Sequence, residues 1–389
     1  MTVPGLAPLL SEEGWAYASL PPQEPGDPGR FHALFGRDSL ITALQVLPAA
    51  PDVARATLRA LAALQGTTHD PETEEEPGKI LHEYRPVAGP WFAEHGWPVR
   101  DGRLLYYGTA DATSWFLVVL DRLGDAALAA ELEPAWRAAG GWLARALDAG
   151  GGYVRYGPRE RGGLAQQGWR DSVAPVEHHP EGSGIVRADG RAPRAPLADA
   201  DCQAAAVAAL DALARLDPPG DWAARAAALR GAVAAWGPEG MALEADGSPV
   251  AGAGSQLGWL LWAGALDGQA AAAAAERLAR PDVLTGFGLR TLSSAHPAFR
   301  AHAYHRGSIW PFDSWLGWGG LRAAGHEADA ERVRRGVLAA LDRLGLWPEL
   351  YAVSEDGELE AAPLANRVQA WTVGARWALE QGWDGRRAD

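Results

Sequence analysis

Apolar residues along this chain recur at three- and four-residue spacing, seldom in strict alternation, which is the pattern of helices with a buried face. The spacing predicts a helix pair over 38–47 and 53–65, split by Pro48 and Pro51. It predicts further helices over 109–123, 126–148, 200–215, 222–236, 256–266, 268–280, 310–324, 328–344 and 365–382. Strand candidates are few and short, and most connections are rich in Gly or Pro. With the N-terminal segment included there are about a dozen helices, or roughly 32 residues per helix and connection in a chain of 389. No repeat is visible, which sets aside a consensus solenoid. An all-α double ring of six inner and six outer helices fits the count and the evenness. An open helical array fits the pattern as well.

Composition narrows the functional classes. Length alone suggests two or three domains. No linker, low-complexity tract or charge block marks a boundary, so 1–389 reads as one large domain. The net charge of −14 is spread along the chain, which argues against nucleic acid and anionic membranes as partners. No 18-residue apolar run suggests a membrane span. The N-terminus lacks a basic stretch followed by an apolar one, so a cytoplasmic location is expected. Cys202 is the single cysteine, which excludes an internal disulfide and a Cys-based metal site. The 18 Trp residues are the anomaly, because flat indole faces suit the C–H faces of sugar rings.

Against the helical background, polar and aromatic stretches stand where loops meet helices. The central one is Gln166-Gln167-Gly168-Trp169-Arg170-Asp171-Ser172, between a Gly-rich run and a segment rich in Pro, Gly and His. Loops on a rigid scaffold carry most function, although an Asp at a helix start also reads as a cap. The others are Phe35-Gly36-Arg37-Asp38-Ser39-Leu40, Gly78-Lys79-Ile80-Leu81-His82-Glu83, Tyr106-Tyr107-Gly108-Thr109-Ala110-Asp111-Ala112-Thr113, His305-Arg306-Gly307-Ser308-Ile309-Trp310-Pro311 and Trp347-Pro348-Glu349-Leu350-Tyr351.

Taken in order, these six stretches resemble the (α/α)6-barrel inverting α-glycosidases. Within that group they are similar to glycoside hydrolase family 63 and to the amylo-α-1,6-glucosidase domain of debranching enzymes, whose large additional domains have no counterpart here. The resemblance implies a two-carboxylate mechanism: an acid protonates the glycosidic oxygen while a base activates water on the opposite face. It makes Asp171 the general acid and Glu349 the general base, with Glu355 a nearby rival for the base. An acid needs a raised pKa, which Trp169 and apolar neighbours supply by desolvation. Arg170 would oppose that if it pointed inward, so it is expected to point outward or to pair elsewhere.

Arg37 and Asp38 resemble a pair that holds hydroxyls at the non-reducing end of the substrate, and a guanidinium and a carboxylate can each engage two hydroxyls. Phe35, His82, Glu83, Tyr107, Asp111, Gln203, Tyr304, His305 and Arg306 complete the candidate pocket, with Trp91, Trp310, Trp347 and Tyr351 as further aromatic surfaces. The favoured substrate is α-mannosyl- or α-glucosylglycerate, a small glycoside whose carboxylate would find donors in Arg85, His82, His305, Arg306 and Tyr351. The alternatives are an amylo-α-1,6-glucosidase activity on α-glucans, a sugar isomerase or epimerase on the same barrel, and a binding protein without catalysis. Residues 66–78 read as a mobile lid. No metal or other cofactor is expected. His178-His179 and the His302/His305 pair lack a third ligand, and the acidic run Asp70 to Glu76 lacks the turn glycine of a calcium loop. Gly252-Ala253-Gly254 with Gly258 reads as a turn, since no strand precedes it.

Overall fold

The computed structural model describes residues 2–21, 31–157, 162–171, 184–363 and 365–387. Six helices, α1 (Gly36–Gln45), α4 (Ala112–Leu123), α7 (Ala200–Leu216), α9 (Gln256–Trp262), α11 (Pro311–Ala323) and α13 (Ala370–Gln381), each touch the next, and α13 returns to α1. That closes an inner ring. Outside it pack α2 (Pro51–Ala63), α6 (Glu133–Ala149), α8 (Trp222–Ala234), α10 (Gly268–Leu278) and α12 (Glu327–Leu344). Two short helices, α3 (Pro90–Glu94) and α5 (Ala126–Glu131), complete the set among the described residues. The architecture is an (α/α)6 barrel.

Burial explains which helices went inside. Every residue of α1 and α9 is buried, and so is α4 from Ala112 to Asp121. A helix with no exposed face belongs in an interior. The outer helices instead bury one stripe, as α8 does with Ala226, Leu229 and Val233. Where α9 meets α11 the backbones nearly touch: a Cβ on Gly258 would lie 2.4 Å from the Cα of Gly317. Gly258, which the sequence placed in a turn, therefore serves helix packing.

Three sequence expectations need correction. The helix over 126–148 breaks at Leu132, where Pro134 opens α6 and bars a continuous backbone hydrogen-bond ladder. The last helix begins at Ala370 rather than 365, because Val368 and Gln369 are held extended by bridges to Trp347 and Ser19. Among its described residues the N-terminal segment supplies a single 3-10 turn over Ala7–Leu9 and no outer helix. It packs across α1 and α13 instead: Ser39 Oγ donates to the Ala16 carbonyl at 2.6 Å, and the Ala370 amide donates to the Ala18 carbonyl at 2.8 Å.

Short strands gather where inner helices begin. β1 (Leu34–Phe35) leads into α1 and joins β2 (Glu83–Arg85), β4 (Arg103–Tyr106) and β3 (Val99–Arg100) in a sheet of that order. Its register sets Phe35 opposite Glu83, and Glu83 opposite Tyr106. β5 (Ala198–Asp199) leads into α7 and pairs with β6 (Gly240–Leu243), which pairs with β7 (Pro249–Ala251). β8 (Leu284–Thr285) pairs with β9 (Gly288–Leu289), and β10 (Tyr351–Val353) with β11 (Leu359–Ala361). Ile309, just before α11, bridges Tyr351. These pairings fix the ends of the ring helices and deliver the polar motifs to one another. None of the described helices is long and apolar enough to cross a membrane.

Candidate active site

The Trp169–Asp171 segment is held from several sides. Trp169 is 1% exposed, stacked on Trp259 and edge-on to His305, Trp310 and Phe312. Arg170 is buried, not outward. Its Nε donates to Asp201 Oδ2 at 2.9 Å, Nη2 to Ser255 Oγ at 2.9 Å and Nη1 to the Thr291 carbonyl at 2.6 Å. It thus pairs elsewhere, and its charge is answered by Asp201 beneath the loop. Ser172 and the His178-His179 pair lie outside the described residues.

Asp171 itself faces inward and keeps 28% of its side chain exposed, while Arg37 Nη1 donates to its Oδ2 at 3.2 Å. Burial pushes its carboxyl up to about 6, Arg37 pulls it back, and Asp111 adds repulsion. Arg37, 2% exposed, is fixed by Asp111, whose two oxygens accept from its Nε at 3.0 and 2.8 Å. Asp38, next along α1, is pushed up to about 8 by burial, with Arg37 opposing and Asp171, Glu349 and Asp111 adding repulsion. One buried carboxyl therefore feels both Asp171 and Glu349, which come from stretches far apart along the chain.

Glu349 accepts from two described donors. The Tyr304 hydroxyl donates to its Oε1 at 2.5 Å and the Asn366 amide to its Oε2 at 3.2 Å. Asn366 Nδ2 donates to Gln369 Oε1 at 2.8 Å, and Gln369 Nε2 reaches Asp38 Oδ1 at 3.4 Å. A chain of polar contacts thus runs from Glu349 to Asp38, and the neighbouring Arg37 carries it to Asp171. Asn366 and Gln369 carried no signal in the sequence beyond being polar residues ahead of a helix. Asp201 and Ser255 were equally silent.

The remaining candidates divide. His82 lies edge-on between Phe35 and Tyr106, and burial, then Arg37, push its imidazole well below the usual range, so it is uncharged. Glu83 pairs with Arg85, and burial raises its carboxyl while Asp171 adds repulsion, which places it in the same neighbourhood. His305 is stacked on Trp310 and held neutral by burial, then by Arg170 and Arg37. Arg306 is buried beside it in the chain. Trp310, 1% exposed with its Nε1 donating to the Tyr304 carbonyl at 2.9 Å, is a floor beneath Tyr304 and His305 more than an open platform.

Four candidates are taken up by the scaffold. Gln203 bonds the Val154 amide and carbonyl, Tyr107 donates to the Leu64 carbonyl, and Tyr351 donates to the Phe287 carbonyl. Trp347 packs over Gly5, where a Cβ would come within 2.5 Å of its ring. Trp91 stands half exposed on α3, stacked on His95. Glu355, the rival base, follows β10 in an exposed turn. His302 pairs with Glu360, away from His305. In the 66–78 loop the Gly78 amide donates to the Gly66 carbonyl and the Gly66 amide to the Lys79 carbonyl, Asp70 and Glu75 exchange both backbone bonds, and Gln167 Nε2 donates to Glu74 Oε1 at 2.7 Å. Among the described residues no group of three or more His, Cys, Asp or Glu is placed to hold a metal ion.

Comparison with known proteins places the fold. The family described as Mannosylglycerate hydrolase MGH1-like glycoside hydrolase domain matches residues 37–372. No curated protein matches the chain significantly. A crystal structure of the GH63 mannosylglycerate hydrolase from Thermus thermophilus in complex with Tris and D-glycerate is 17% identical, with 96% of this chain and 97% of that one covered and a TM-score of 0.69. The same enzyme in complex with glucose is 18% identical, covering 95% and 96%, with a TM-score of 0.67. The neutral trehalase Nth1 from Saccharomyces cerevisiae is 15% identical, covering 91% and 72%, with a TM-score of 0.58. At such identities the likeness shows the shared barrel.

Proposed function

The chain belongs to the MGH1-like glycoside hydrolase family, and from that premise we propose that it is an inverting α-glycosidase acting on a small α-glycoside. The observation that carries the reading is the meeting of Asp171 and Glu349 around Asp38. Asp171 is the general acid. Its carboxyl, pushed up to about 6, holds a proton closer to neutrality than an ordinary Asp does. That proton goes to the glycosidic oxygen as the bond to the anomeric carbon breaks. Glu349 is the general base: an oxygen of its carboxylate takes a proton from water attacking the opposite face. Tyr304 fixes the Glu349 carboxylate in one orientation.

Arg37 and Asp38 hold the sugar at the closed end of the pocket. Replacing Asp38 by Ala is expected to lower kcat/KM by the equivalent of about 0.5–1.5 kcal/mol, the worth of a neutral hydrogen bond, because its carboxyl, pushed up to about 8, keeps its proton near neutrality. Unchanged kinetics in a folded variant would remove Asp38 from the site.

The favoured substrate is α-mannosyl- or α-glucosylglycerate. The family name supports it, as does the Thermus relative seen with D-glycerate. Of the five donors suggested for the carboxylate, Tyr351 is bonded elsewhere and His82 and His305 are uncharged, and Arg85 is paired with Glu83. The test compares kcat/KM for mannosylglycerate, glucosylglycerate, trehalose, isomaltose and a glycogen limit dextrin, with proton NMR of the first product. β-anomer released first from a glycerate glycoside is expected. Initial α-anomer would end the inverting assignment, and glucose from the limit dextrin with neither glycerate compound cleaved would establish the debranching alternative.

A further inference from the structure

We propose that Asp111 is a positioning residue for acid catalysis: it orients Arg37 toward Asp171 and neutralises most of the charge that Arg37 brings there. The inference rests on the reading of Asp171 as the general acid.

The geometry is specific. Asp111 occupies the N-cap position of α4, where an Asp side chain ordinarily accepts from the free backbone amides of the first turn. Here it makes no capping bond. Its carboxylate turns away from its own helix and accepts from Arg37 Nε with both oxygens, at 3.0 and 2.8 Å. Thr109 Oγ1 donates to the same carboxylate at 3.0 Å, so its rotamer is fixed from a second side. Asp111 is fully buried and Arg37 is 2% exposed, so neither is screened by water. With Nε pinned, Arg37 Nη1 is left to reach Asp171 Oδ2 at 3.2 Å.

This arrangement resolves a conflict in the site. A catalytic acid must keep its proton, yet a buried guanidinium beside it favours proton loss. Pairing Arg37 with Asp111 leaves the directed N–H while cancelling most of the net charge. Among the described residues, the other groups around Asp171 do not replace this. Arg170 is paired with Asp201, His305 is neutral, Glu83 is paired with Arg85, and Asp38 and Glu349 lie on the other side of Arg37 in the contact chain. Both effects of removing the Asp111 charge have one sign: Arg37 pulls harder on Asp171, and a repulsive neighbour is lost.

The test is the pH profile of kcat/KM for Asp111→Asn, a variant of nearly the same shape. The alkaline limb is expected to move down by roughly one pH unit. The loss of activity should then grow from little at pH 5 to about tenfold at pH 7. A folded variant whose limb stays in place, or whose loss is uniform with pH, overturns the proposal, because a purely structural defect does not move the limb. If Asp111→Asn fails to fold, the double variant Arg37→Gln/Asp111→Asn removes both charges and leaves neither buried alone. There the limb should lie above the wild-type position, since Arg37 outweighs Asp111 at Asp171. A limb at or below wild type refutes the idea. Asp171→Asn, assayed on a dinitrophenyl α-glycoside that leaves without a proton, separates the two readings. If it keeps the wild-type alkaline limb, the assignment of Asp171 as acid fails, independently of Asp111.

Discussion

The two carboxylates of the site are held in opposite ways. The Asp171 loop is clamped by charge: Arg170 locks its neighbour onto Asp201, and Arg37 touches Asp171 itself. Glu349 accepts from a phenol on one oxygen and from a backbone amide on the other. Under the proposed mechanism, the same functional group would thereby be fitted to two tasks. Burial lifts the proton affinity of one, and a pinned, hydrogen-bonded carboxylate stands ready to accept at the other.

The largest expected effect separates the two roles. Asp171→Asn should lower kcat/KM on a natural glycoside by on the order of 10²–10⁴-fold and lose much less on a dinitrophenyl glycoside. Glu349→Gln should lose a similar factor with both. Equal behaviour of the two variants across leaving groups would erase the distinction between the loops.

Breaking the charged clamp should cost stability before activity. Arg170→Met leaves Asp201 buried without its partner, and about 3–5 kcal/mol is expected in urea unfolding. A loss under about 1 kcal/mol would mean that the clamp contributes little. The neutral side is weaker: Tyr304→Phe removes one charge-assisted hydrogen bond and should lower kcat/KM by the equivalent of about 1.5–3 kcal/mol with little change in unfolding midpoint. If unfolding suffers more than kinetics, Tyr304 is scaffold.

The wild-type pH profile sharpens the comparison further. If Asp171 is the general acid, activity needs it protonated, and kcat/KM should fall as pH rises through about 6. A flat profile from pH 5 to 8 contradicts the assignment. The smallest effect concerns Asp313, buried beneath the site, bonded by Trp259 Nε1 at 2.6 Å and pushed up by burial to about 7. A carboxyl whose folded pKa is raised binds more protons folded than unfolded, so its contribution falls as pH rises from about 4 to 7. Asp313→Asn should therefore gain about 1 kcal/mol at pH 8 relative to pH 5, measured by thermal unfolding at both.

Ring helices were legible because each has a local cause. Apolar spacing of 3.6 marks them, Pro51 and Pro311 open two of them, and Gly124, Gly345 and Gly382 close three in the left-handed conformation. The proposed acid and base were readable through motif resemblance, since Trp-Arg-Asp and Pro-Glu-Leu are contiguous. What the sequence could not decide is which polar residues meet. Gln203 and Tyr351 looked like pocket residues and are bonded to backbone, whereas Gln369, Asn366 and Asp201 looked ordinary and hold the site. The chain by itself determined where helices run and which motifs interrupt them, because those follow from local periodicity and turn chemistry. Only the closed ring decided the partners, and with them the charge state of each carboxyl, because burial and electrostatic neighbours arise from residues far apart along the chain.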